Sequence, residues 1–403
     1  MTAIILEALI KIALLIGGLM TAAAYFVLLE RRIAAWIQDR RGPNRVGMPL
    51  TKLRLFGLGQ PLADGVKFIF KEEYTPAHVN KVLFVAAPIL ILAAALAAFA
   101  VIPFGSMIPP DWFGRTEPIK LVVAPGVDVG MIYVFALSSI AVYGVILGGW
   151  ASNNKYSFLG GLRSSAQLIA YEVPLGLGIL AVVVAAGSLD LEAIIHAQTT
   201  QGWFFLLQPL GFLVFVVAAF AEAARLPFDL PECEQELIGG YHTEYSGIKL
   251  LLFLVAEFLH MITASFLIVI LFMGGWHLPW GLTGDPAAES IGWVPAIVRI
   301  VALAVKIIAV IVFFMVVRWS WPRFRFDQLM ALAWKVMLPL GVVNFVVMAT
   351  VEQFGGSLST GVKMAIGWGT FVLSWVAIAA AGPLIADNRA RHDLHPSQID
   401  SQV

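Results

Sequence analysis

Nine stretches of about twenty mainly apolar residues recur along this 403-residue chain, at roughly 4–29, 82–103, 130–149, 168–187, 204–224, 248–273, 296–317, 329–350 and 362–384. A helix needs about twenty such residues to cross the hydrocarbon core of a bilayer, and no soluble fold wants nine of them. The expectation is an all-α polytopic membrane protein with about nine transmembrane helices. Composition agrees, with 60% apolar and only 13% charged residues, against about half and a quarter in soluble domains. Residues 1–385 read as one helical membrane domain, and the polar stretch 386–403 as a disordered cytoplasmic tail. The first run reads as a spanning helix, because its arginines follow the apolar core where a cleavable signal carries them in front.

Basic residues set the expected orientation, since cytoplasmic loops collect Lys and Arg. Eighteen fall in the first, third, fifth and seventh loops and the tail, against three on the other side (Arg115, Lys120 and Lys363). The N-terminus is therefore expected outside. Within the first long loop, "QPLADGVKFIFKEE" repeats Leu62, Val66, Ile69 and Phe70 at helical spacing, which predicts an amphipathic helix in the membrane interface.

Several chemistries are excluded early. Net charge is zero, so a polyanionic partner such as nucleic acid has no support. Cys233 is the only cysteine, so neither an intrachain disulfide nor a thiolate-held iron–sulfur cluster can form. The seven histidines show no metal-ligand spacing, and no glycine-rich nucleotide loop is present. No metal site is expected, and electron carriers, if the protein serves redox chemistry, belong to other subunits.

What remains is a set of charges in an expensive place. An ionisable group near the bilayer centre costs about 2.5–3.5 kcal/mol on insertion scales and usually marks function. Glu172, Glu222 and Glu257 lie in or at the ends of spans four to six, with Lys249, Arg299, Lys306 and Lys335 also inside spans. Glu222 and Arg225 are three apart, as are Glu257 and His260, which places each pair on one helix face. Desolvated carboxylates can exchange protons near neutral pH, so the three acids together read as a proton relay. For any one of them, the plainer alternative is a structural pair with a neighbouring cation. The loop "AEAARLPFDLPECEQELIGGYHTEY" (221–245) adds Asp229, Glu232, Glu234, Glu236 and Glu244 to Glu222. That is more than helix capping requires, and Arg318, Arg323 and Arg325 are the expected counter-charges.

These words carry a resemblance. "ERRIAAWIQDRRGPNRVG" (30–47), "QPLADGVKFIFKE" (60–72), "NNKYSFLGGLRSSAQLIAYEVPL" (153–175), the acidic loop, "VAEF" (255–258) and "SWPRFRFDQLMALAWKVMLPL" (320–340) resemble the NADH dehydrogenase subunit 1 family. Its members are membrane subunits of the proton-pumping NADH:quinone oxidoreductase, respiratory complex I. The likeness runs from the first span to the eighth. It implies a multi-subunit translocase in which this chain is not catalytic alone, membrane quinone (ubiquinone or menaquinone) is substrate, and FMN and iron–sulfur clusters sit on partner subunits. Carried onto matching positions, it puts Glu30, Arg31, Asp64 and Arg318 at the quinone cavity. Glu172, Glu222, Glu232, Glu234, Glu236, Glu244 and Glu257 form the proton pathway, with Lys155, Arg163 and Arg225 as cationic partners. It also implies peripheral-arm and membrane subunits as partners. Chain length and the extra tail point to a bacterial plasma membrane as location. The alternatives are the equivalent subunit of a membrane-bound hydrogenase or a reduced-deazaflavin dehydrogenase, and, further off, a stand-alone ion-coupled transporter. Two features depart from the family pattern: the ninth span with its tail, and Gly65 where a larger residue is expected.

Overall fold

The computed structural model describes residues 2–47, 55–109, 118–229, 239–278, 283, 292–355 and 358–393. Most of them are helical. The elements are α1 (Thr2–Ile37), α2 (Gln60–Phe70), α3 (Lys81–Ala98), α4 (Gly130–Ala151), α5 (Lys155–Ala186), α6 (Leu191–Gln201), α7 (Phe204–Leu207), α8 (Pro209–Glu222), α9 (Gly247–Phe272), α10 (Trp293–Ser320), α11 (Phe326–Leu332), α12 (Leu338–Phe354) and α13 (Thr360–Asp393). A π-helical turn, Ala333–Met337, joins α11 to α12. The described β structure is one antiparallel pair of two-residue strands, β1 (Met107–Ile108) and β2 (Ile119–Lys120), with Met107 opposite Lys120.

Among the described residues, eight helices are long and apolar enough to cross a membrane, with α11 and α12 counting as one. The fifth expected span takes another form: a four-residue turn, α7, then the 14-residue α8, with Pro209 opening α8. Proline has no N–H to continue the ladder, so the helix restarts there. The fourth expected span is longer than its apolar run. Asn154 Oδ1 accepts from the Tyr156 amide at 2.9 Å, which starts α5 well before residue 168. Gly187, at φ +69°, ends it. That extension packs through glycines: a β-carbon on Gly161 would sit 3.3 Å from the Gly149 Cα of α4, and one on Gly160 only 2.6 Å from the Gly240 backbone. Close backbone approach of this kind replaces hydrophobic driving force between helices in lipid.

α9 is the central helix. Every residue from Met261 to Phe272 is buried. The outer helices expose large apolar side chains such as Leu14, Val305 and Leu373, as a lipid solvent demands. α2 behaves likewise: Leu62, Val66, Ile69 and Phe70 are all exposed, so its apolar stripe faces away from the bundle.

Three of the intramembrane cations are accounted for structurally. Lys306 Nζ donates to the carbonyls of Met273, Gly275 and His277 at 2.7, 2.9 and 2.8 Å, closing the C-terminal end of α9. Arg299 is buried, its Nε on the Thr283 carbonyl at 2.9 Å and its Nη1 on Ser106 Oγ at 2.7 Å. Lys249 donates to Thr75 Oγ1 at 2.8 Å and lies 3.7 Å from Glu73. Lys335 is exposed on the π turn. Beside the first two, burial holds the His196 and His277 imidazoles below the usual histidine range.

α13, the ninth span, leans on the break in the fifth. A β-carbon on Gly367 would fall 1.9 Å from the Leu207 carbonyl oxygen and 3.5 Å from Pro209 Cδ, so only glycine lets the two backbones meet. Gly367→Leu is expected to lift α13 from α7 and α8. The overpacking cost is about 1–3 kcal/mol, and thermal denaturation of the detergent-solubilised protein beside wild type measures it; an unchanged midpoint contradicts the contact.

Candidate functional site

Where α1 leaves the bundle, Glu30 is buried between two guanidiniums. Arg225, from the turn after α8, reaches its Oε2 at 3.4 Å, and Arg318, in the last turn of α10, pairs with its Oε1. Arg225 also lies 4.2 Å above the Phe258 ring of α9. Four elements thus converge on one carboxylate. One residue further, Arg31 pairs with Asp64 of α2 at 2.8 Å, and Gln60 holds the other oxygen of Asp64 at 3.1 Å. Glu30 and Arg225 are buried, whereas Arg31 is half exposed.

These charges line a cavity of about 610 Å³ bounded by α1, α2, α9 and the end of α10. Glu30, Arg31, Asp64, Arg225, Glu257 and Arg318 supply its polar wall, and Met20, Val27, Phe68, Leu251, Leu254 and Phe258 much of its apolar wall. Ligand sites have this character: mostly apolar, several hundred cubic ångströms, with a few convergent polar groups. Gly65 lies on the lining, and a β-carbon there would meet nothing within 4 Å. Its smallness leaves room in the cavity and is not demanded by packing.

Glu257 faces two ways. It also lines a small cavity of about 50 Å³ together with Tyr241, His260, Ser164, Ser138 and Glu222. Tyr241 Oη donates to Glu257 at 3.2 Å. A further cavity of about 20 Å³ holds Glu222, Ser138, His260 and Thr263. Each is large enough for at least one water, and each has the polar partners a water needs. Adjacent serines of α4 hold two acids: Ser138 hydrogen-bonds Glu222, and Ser139 hydrogen-bonds Glu172. Exchangeable groups therefore run from the large cavity through Glu257, Tyr241 and His260 to Glu222.

The remaining sequence-identified residues lie elsewhere. Glu244 accepts from Asn154 Nδ2 at 2.6 Å, at the start of α5. Lys155 is exposed beside it, and Arg163 stacks 5.7 Å from the Phe326 ring. None of the three lines the cavities that hold Glu222 and Glu257. Glu232, Glu234 and Glu236 lie outside the described residues. Of the expected counter-charges, Arg323 meets Asp229 at 3.1 Å and Arg318 meets Glu30, while Arg325 pairs with exposed Asp327 at 3.3 Å.

Glu222 and Arg225 do not share a helix face, although their spacing suggests it. α8 ends at Glu222, and Ala224 turns the chain with φ +50°. Glu222 stays among the small cavities, and Arg225 swings to Glu30. Ser138, Ser139 and Tyr241 are functional candidates that the sequence did not single out. The signal for the serines was present: two adjacent hydroxyls in the middle of the third apolar run, "FALSSIAVYG".

Over residues 10–349 the chain matches the family described as NADH dehydrogenase. It is 47% identical over 338 residues to the first H-type NADH-quinone oxidoreductase subunit of Geobacter metallireducens, covering 84% of this chain and 94% of that protein. Against NADH-quinone oxidoreductase subunit 8 of Thermus thermophilus it is 47% identical over 342 residues, 85% and 86% of the two chains. With the first H-type subunit of Cytophaga hutchinsonii the identity is 45% over 328 residues, 81% and 90%.

Removing one partner of a buried ion pair strands the other charge, at about 3–5 kcal/mol, whereas a partly exposed pair contributes under about 1 kcal/mol. Glu30→Ala should therefore destabilise the protein severely and Asp64→Asn hardly at all. Thermal midpoints of the two variants in the same detergent check this; equal losses contradict it.

Proposed function

Because the chain belongs to the NADH dehydrogenase family, we propose that it is a membrane subunit of an NADH:quinone oxidoreductase, whose large cavity admits the quinone and whose buried acids carry the first steps of proton coupling. The observation that carries this reading is Glu257, a single carboxylate facing both the 610 Å³ cavity and the small polar cavities that lead to Glu222. A quinone head group is planar, weakly polar and gains protons with its electrons. Its chemistry suits an apolar chamber with a few fixed charges on one wall. Arg225 and Arg318 offer positive potential where charge develops during reduction, and Glu30 keeps both guanidiniums in place. Arg31 and Asp64 stand at the α2 side, where the exposed apolar stripe of α2 meets lipid and the cavity opens toward it.

Proton coupling rests on the line of exchangeable groups. A change of charge in the chamber alters the cost of keeping Glu257 ionised, and Tyr241, His260 and intervening water relay the proton toward Glu222. Glu172, held by the serine next to the partner of Glu222, extends the acidic set toward α5. Glu232, Glu234, Glu236 and Glu244 then belong to the loop side of the same assembly, facing other subunits. FMN and iron–sulfur clusters reside on those subunits, and this chain neither binds NADH nor transfers hydride. The loops that carry most of the basic residues face the cytoplasm of a bacterial cell, with the N-terminus outside. The names of the relatives support this reading over the hydrogenase, deazaflavin and transporter alternatives.

Glu257→Gln and Glu222→Gln should leave the complex assembled while quinone-dependent NADH oxidation or coupled proton movement falls by about a hundredfold, the lower end of what positioned proton-transfer groups contribute. Wild-type rates for both activities in an assembled variant would remove the relay. Gly65→Leu tests the chamber separately. The added side chain points into open space at its wall, so the apparent KM for a short-tailed quinone should rise with assembly intact. An unchanged KM places the quinone elsewhere.

A further inference from the structure

Far along the same helix from Glu222, the break between α7 and α8 holds polar groups that neither the chamber nor the relay uses. Gln208 occupies the junction and is fully buried. Among the described residues, neither its Oε1 nor its Nε2 has a hydrogen-bond partner. Asn344, in the middle of α12, is also buried, and its Nδ2 lacks a partner too. Both amides converge on one small residue of α8: a β-carbon on Gly211 would fall 2.6 Å from Asn344 Nδ2 and 3.4 Å from Gln208 Oε1. They approach one point without bonding to each other. Pro209 supplies no N–H at the break, and Gly367 of α13 closes it by seating on the Leu207 carbonyl.

A buried amide without a partner costs roughly 1–3 kcal/mol by mutational measures. Two on facing helices inside a bilayer, where lipid can satisfy neither, do not persist as accidents. We infer that the broken fifth span is an internal hydration site, in which ordered water bridges Gln208 and Asn344 and α13 walls the site off from lipid. Water suits these donors and acceptors. Each amide both donates and accepts, and a buried water needs two to four such partners. A metal cation would ask for an oxygen-rich set with carboxylates, which these residues do not provide. An anion could use the positive N-terminal end of α8, but with no cation among these groups its burial is far costlier than that of a neutral molecule. The ninth helix thereby has a role: it seals polar backbone and side chains that an eight-helix bundle would leave facing lipid.

The direct test is a density map of the assembled complex at a resolution that shows ordered water, collected in chloride buffer and in chloride-free buffer. A feature within hydrogen-bonding distance of both Gln208 and Asn344, present in both buffers, supports the site. Density confined to chloride buffer makes it an anion site, and direct bonding of the two amides with no density between them removes it; either result overturns the inference. A thermal cycle of Gln208→Met, Asn344→Leu and the double variant gives an independent reading in the same complex. If water bridges the two amides, each single change lowers the melting temperature and the double change lowers it by less than the two together. Strictly additive shifts overturn the bridge.

Discussion

Glu30 is the point on which the loop-rich end of the bundle depends. Taking a carboxylate out of water costs several kcal/mol even after relaxation. The structure meets this with two arginines from segments about two hundred and three hundred residues further along the chain. One carboxylate therefore sets the relative positions of α1, the turn after α8 and the end of α10. Phe258 adds the fourth side by lying under Arg225. The large cavity is the space left between those elements and α2 when they are held at that spacing.

The same rule separates the other intramembrane charges into two kinds. Lys306 and Arg299 are satisfied by backbone carbonyls and hydroxyls, far from either set of cavities, and they organise the opposite end of the bundle. Glu222 and Glu257 line cavities instead, and each takes a hydrogen bond from a hydroxyl, Ser138 and Tyr241 respectively. A hydroxyl can pass a proton where a salt bridge would pin one.

The fifth span shows how far a membrane helix can depart from regularity when neighbours compensate. Its break exposes a carbonyl, a proline and a buried amide, and each is covered by protein: α12 on one side, α13 on the other. Glycine at 367 and at 211 makes the coverage possible, since a β-carbon at 367 would collide with the Leu207 carbonyl and one at 211 with the Asn344 side chain. Over residues 360–380, Gly367 is the one buried position of α13, so this contact fixes that stretch against the bundle.

Much of the fold was legible in the chain because the bilayer imposes a length and an apolar composition on every crossing segment. Eight of the nine expected spans are long apolar helices, and the amphipathic stripe of Leu62, Val66, Ile69 and Phe70 does face outward from α2. The costly acids were legible for the same reason, since charges stand out against such a background. Pairing was not. Glu222 and Arg225 sit three apart in sequence, yet a helix that stops at Glu222 sends them to different sites. Glu30 and Arg318 are far apart and share a bond. The sequence by itself determined which residues must be in the membrane and which of them are too polar to be there without cause, because transfer energies are properties of side chains. Only the tertiary structure decided which charges neutralise one another and which face water-sized spaces, because those outcomes depend on where helices stop and on distances of a few ångströms between segments the chain keeps apart.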